Sequence, residues 1–115
     1  MTKIDQMRKG TTTMVILKLL SQAAEPVHGY EIIRQLEASS QGYFRFKEGL
    51  VYPRLHQMEK SGFVESHWLG EPATRRRKVY EITEAGQEQL KADVGRWRDL
   101  SQTVNRLLGL GENAA

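Results

Sequence analysis

Two groups of residues in this sequence have the types and spacing to do chemistry: the cation run Arg75, Arg76, Arg77 and Lys78, and the polar set Gly49, Pro53, His56, Gln57 and Lys60. Guanidinium forks meet phosphate oxygens bidentately, and imidazole, amide and ammonium groups meet base edges, so the chemistry on offer is recognition of a polyanion. The formal net charge is +3, from 17 basic and 14 acidic residues. Without the run at 75–78 the balance turns slightly acidic, so the basicity is a local device and not a general cationic coat. A solvated loop is the competing account of such a run, and its position in the fold decides between them.

Bond-making chemistry finds little support. His28, His56 and His67 are the only imidazoles, and none stands in a His-Glu-x-x-His spacing. A Gly-x-Ser-x-Gly turn and a phosphate-cradling glycine loop are absent as well. His28 reads as a helix-start residue and His67 as a strand residue. With no cysteine there is no disulfide, thiolate nucleophile or cysteine-based metal site, and such a small domain without staples suits a reducing compartment. The expectation is a cytoplasmic protein that is not an enzyme, without cofactor or metal. The strongest apolar run, Met14 to Leu20, is short and carries Lys18, so neither a membrane span nor an export signal is expected.

At 115 residues the chain is long enough for one core. Ile16, Leu17, Leu19 and Leu20 recur at helical spacing and predict a core helix over residues 10–24. A second helix of about ten residues carries Ile32, Ile33 and Leu36 and ends near Ser39 to Gly42. Val51, Leu55 and Met58 define a third helix from about Glu48 to Lys60, with Gly62 past its end. Phe63 to Leu69 and Lys78 to Thr83 are β-branched or aromatic runs that predict a two-stranded hairpin with the arginines at its turn. Thr83 is placed to cap a closing helix running to about Leu108, where Gly109 stops it. Mainly α with a small antiparallel hairpin, this order describes a winged helix-turn-helix over residues 1–83. Residues 84–115 form a long closing helix and a short tail.

On a wheel of 100° per residue the third helix buries Val51, Leu55 and Met58 and presents Gly49, Pro53, His56, Gln57 and Lys60 on the other side, flanked by Tyr52 and Arg54. Together with Lys47 just before the helix and Arg75, Arg76 and Arg77 on the hairpin, these are the candidate DNA contacts. A groove-reading helix followed at once by a cationic hairpin supplies a base reader and a backbone clamp together. Pro53, lacking an amide hydrogen, is expected in or near the first turn. Glu48, unwelcome beside phosphate, is read as a helix-dipole partner.

In the closing helix Leu90, Val94, Trp97, Ser101, Val104 and Leu108 repeat at alternating spacings of four and three. This is the a/d pattern of a helix seeking a partner helix. A helix of about 25 residues is roughly 37 Å long, more than so small a core covers, so a homodimer is expected along this stripe. Ile4 and Met7 make the N-terminal helix a further candidate for the same interface. Two recognition helices related by a two-fold axis then meet half-sites about 34 Å apart, an imperfect palindrome. Trp97, mid-stripe, would with its mate flank a gap suited to a planar aromatic effector.

The chain resembles PadR-like transcriptional regulators, particularly their short subfamily with a single C-terminal helix. The segments that carry the resemblance are Gly29-Tyr30-Glu31-Ile32, the run Gly49 to Glu59 with its Tyr52-Pro53 pair, Gly62 to Ser66 with Trp68, Arg75 to Tyr80, and Thr83-Glu84-Ala85-Gly86. One departure is Leu50, where the family usually carries threonine or serine. The resemblance implies a dimeric winged-helix repressor, often controlling efflux pumps or the detoxification of small aromatic compounds. The alternative reading is a winged-helix module for protein or RNA contacts without operator-specific DNA binding.

Overall fold

The structure is a computed structural model and describes residues 3–70 and 77–110. The chain runs through α1 (Lys3–Gln22), β1 (Val27–His28), α2 (Gly29–Ser39), α3 (Glu48–Lys60), β2 (Val64–Leu69), β3 (Arg77–Ile82) and α4 (Glu84–Leu107). α1 starts well before the residue-10 boundary expected from the apolar stripe. The added residues are mostly good helix formers, and extending an existing helix fixes one residue per hydrogen bond gained.

One core serves all elements. Ile16, Leu17 and Leu20 of α1 pack with Ile32, Ile33 and Leu36 of α2, Val51, Leu55 and Met58 of α3, Val64 and Tyr80 of the sheet, and Leu90 of α4. The loop after α2 adds Phe46, whose amide donates to the Glu37 carboxylate at 3.2 Å. The three apolar positions of α3 are at most 2% exposed, and burying each such side chain is worth about 1.5–3 kcal/mol.

Helix ends follow local chemistry. His28 Nδ1 accepts from the amide of Glu31 at 3.3 Å and so caps α2, while Glu31 meets the positive end of the helix dipole. α3 ends in a Schellman turn. The amide of Phe63 donates to the carbonyl of Met58 at 2.9 Å, and that of Gly62, at φ 83°, to Glu59 at 3.1 Å.

The sheet has three strands and not the expected two, in the order β1-β3-β2, all antiparallel. Val27 and His28 pair with Tyr80 and Val79, and a two-residue strand leaves no periodicity to detect in the sequence. Three helices, with β1 between the first two, and the β2–β3 hairpin after them form a winged helix. With α4 attached, the radius of gyration is 15.9 Å, against about 13 Å for a compact chain of this length. α4 therefore projects beyond the core that its first turns cover.

Candidate nucleic-acid interface

α3 separates its two faces as its sequence requires. Gly49, Pro53, His56, Gln57 and Lys60 are exposed, opposite the buried Val51, Leu55 and Met58, with Arg54 half-buried between them. Lys47 stands exposed at the N-cap position. A side chain at Gly49 would meet nothing within 4 Å, so packing within the chain makes no demand for glycine there. Leu50 is half-buried against the core, so that position supports the helix from within.

Pro53 departs from expectation. It lies in the second turn of α3, which begins at Glu48. Its missing N–H leaves the Gly49 carbonyl without the usual donor, and the ring crowds that same carbonyl. Both residues are exposed, so the disturbance falls on the outward face. Glu48 occupies the first turn, as the dipole argument requires.

Tyr52 does more than flank this face. Its ring lies over the first residue of α2, so closely that a Cβ on Gly29 would come within 2.5 Å of Tyr52 Cε1. Burial, and after it the Glu48 carboxylate, push the Tyr52 phenol above its ordinary pKa. Tyr52 thus holds α3 against the start of α2.

The wing is tied to α3 through Glu59. One carboxylate oxygen accepts from Ser66 Oγ of β2 at 2.5 Å, and the other lies 3.7 Å from Lys78 Nζ of β3. The Lys78 ammonium also lies 5.8 Å from the ring centre of Trp68 and 5.7 Å from that of Tyr80. Of the four-cation run, Lys78 is therefore committed to this clasp. Arg77 opens β3 as an exposed cation, whereas Arg75 and Arg76 lie outside the described residues.

α4 leaves the wing through a tight joint. Thr83 Oγ1 donates to the carbonyl of Gly62 at 2.6 Å and accepts from the amide of Gly86 at 3.0 Å. The Thr83 amide donates to the carbonyl of Phe63 at 3.0 Å. Leu90, placed by spacing on the outer stripe, is buried in the chain's own core, and Val94 packs against that core. Beyond it Trp97, Leu100, Val104, Leu107 and Leu108 are exposed, while Ser101 is half-buried. Those five apolar side chains span an arc of about 100° on the helix. Leu100 and Leu107 escape the sequence pattern because a strict a/d template skips them.

Tyr30 and Arg45 are not among the contacts expected from the sequence. Both are exposed, one beside Gly29 and the other two residues before Lys47. The signal for Tyr30 is the Gly29-Tyr30 pair; for Arg45 there is only a lone cation in a loop.

The sequence profile of the Transcriptional regulator PadR-like family matches residues 16–92, well over half of the chain. The chain belongs to the PadR-like family. Among its relatives, the transcriptional regulator Rv3488 of Mycobacterium tuberculosis is 34% identical over 85% of this chain and 89% of its own length. A PadR-like transcriptional regulator from Bacillus cereus is 37% identical, with a TM-score of 0.73 over 90% of this chain and 96% of its own. A transcriptional regulator from Clostridium thermocellum superposes with a TM-score of 0.80 at 29% identity, covering 89% and 96% of the two chains. This PadR-like protein is thus a winged-helix transcriptional regulator, and no helix among its described residues is long and apolar enough to cross a membrane.

Proposed function

We propose that this PadR-like regulator represses transcription as a homodimer that occludes a pseudo-palindromic operator. The α3 of each subunit enters a major groove while the β2–β3 wing rests on the adjacent backbone. The observation that carries this reading is the two-faced α3, with its core side sealed and Gly49, Pro53, His56, Gln57 and Lys60 outward, clasped by Glu59 to a wing whose strand β3 opens on the exposed Arg77. In this assignment His56 and Gln57 read base edges, and Lys47, Lys60, Arg75, Arg76 and Arg77 contact phosphate, with Tyr52 and Arg54 at the border.

The homodimer forms along the uncovered apolar arc of α4, where Leu107 is 81% exposed and Leu108 66%. Single-chain exposure on that scale, concentrated on one helical face, favours a partner over solvent. A planar aromatic effector would insert beside Trp97, which is 45% exposed, and release the operator by changing the spacing of the two wings.

Footprinting with duplexes selected from a random pool tests the whole reading. Two protected half-sites about one helical turn apart are expected, and exchanging Gln57 for Ala should relax the preferred base more than it lowers bulk affinity. Protection of one asymmetric half-site by a single chain would count against it.

A further inference from the structure

One group of metal-ligating side chains stands apart from the groove-reading face, on the outer surface of the wing. Glu65 and His67 lie on β2 and Glu81 on β3. Along β2, Val64 and Ser66 turn toward the core and α3, so Glu65 and His67 point to the opposite face. The register sets Glu65 directly across from Glu81, with His67 two residues further along β2 and across from Val79. One donor atom from each of the three lies within 4.8 Å of the other two, and His67 Nε2 is 2.6 Å from Glu81 Oε2. Among the described residues this is the one place where three such donors converge.

We propose that Glu65, His67 and Glu81 bind a divalent transition-metal ion of the zinc class on the outer face of the wing. One imidazole nitrogen with two carboxylate oxygens is a donor set that zinc accepts at about 2.0–2.2 Å, whereas magnesium and calcium favour all-oxygen shells. Donors around a tetrahedral ion at that range stand roughly 3.3 Å apart. The close His67–Glu81 pair must therefore open by less than about 1 Å while Glu65 swings inward. Both side chains of the close pair are about half exposed, which leaves them room to adjust.

The ladder itself supplies the second argument. Two carboxylates directly opposite each other in an antiparallel pair are destabilising, and among the described residues His67 is the only basic partner of either. A divalent cation removes that repulsion and completes the histidine's coordination. It also raises the charge of the wing by two. If the wing contacts DNA as proposed above, metal loading strengthens operator binding; this consequence rests on that reading, whereas metal binding does not.

The experiment uses tag-free, chelator-stripped full-length protein without DNA. Titration calorimetry with Zn²⁺ and absorption spectroscopy with Co²⁺ compare the parent with His67→Ala, Glu65→Gln and Glu81→Gln, and Mg²⁺ serves as a control ion. One zinc per chain, low-symmetry cobalt bands and no magnesium response are expected in the parent. Removing a direct ligand should weaken binding by more than the roughly 10- to 100-fold typical of residues that only support a ligand. Thermal melting should show zinc stabilising the parent and not His67→Ala, provided the metal-free proteins melt alike. No zinc binding at micromolar concentration, or binding left intact by His67→Ala, overturns the proposal. A gel-shift titration with and without zinc then tests the DNA consequence by itself.

Discussion

Two glycines of α4 should respond to the same substitution with opposite signs. A Cβ at Gly86 would stand 2.2 Å from the Phe63 carbonyl oxygen and 2.7 Å from Ile82 Cγ1. The oxygen cannot withdraw easily, because it accepts from the Thr83 amide, and the helix cannot withdraw without releasing the cap bond from Gly86 to Thr83. Loss of an N-cap costs about 1 kcal/mol, a backbone hydrogen bond about 1 kcal/mol, and overpacking about 1–3 kcal/mol. The better helix propensity of alanine returns at most about 1 kcal/mol. Gly86→Ala is therefore expected to cost about 2–4 kcal/mol, or roughly 8–16 °C in Tm for a domain of this size. A Cβ at Gly95 meets nothing within 4 Å, so Gly95→Ala should stabilise the same helix by about 0.5–1 kcal/mol. Thermal melts at one fixed chain concentration measure both. If Gly86→Ala melts with the parent, or both variants shift in the same direction, the close approach of α4 to Phe63 is not what sets the helix against the wing.

Glu59→Ala removes the Ser66 bond and the Lys78 ion pair, both only partly buried, and should cost about 1 kcal/mol by denaturant titration. Its operator affinity should fall although a negative charge has gone, and a simple rise in affinity would contradict the clasp. Arg77→Ala should weaken all duplexes alike and make the slope of log affinity against log salt shallower by about 0.9 for each phosphate that Arg77 neutralises. An unchanged slope removes Arg77 from the interface. Leu107→Glu should shift sedimentation toward single chains without lowering helix content, because the side chain is exposed within one chain. Retention of the dimer would move the interface off this arc.

Local patterns carry most of the fold. The bounds of α3, the Thr83 cap and the stop at Gly109 all follow from interactions within a few residues, which is why spacing and capping chemistry find them. The exposed face of α3 is legible for the same reason, since the wheel needs only one helix and the position of its buried side. The family resemblance adds the regulatory role, and the match over residues 16–92 bears it out.

What stays hidden depends on partners distant in sequence. β1 exists because Val27 and His28 find Tyr80 and Val79 more than fifty residues away. Leu90 belongs to the core and Leu107 to the surface although both are leucines on one helix, because the core reaches only the first turns of α4. Lys78 looks like one more cation until Glu59 and two aromatic rings meet it. Glu65, His67 and Glu81 match no metal-binding spacing along the chain, yet the antiparallel register sets them side by side. Hydrophobic period and end-capping are properties of a segment and can be read in one dimension. Cross-strand register, burial within one helix and the pairing of charges are set by which surfaces meet, and that is decided only when the chain closes on its core.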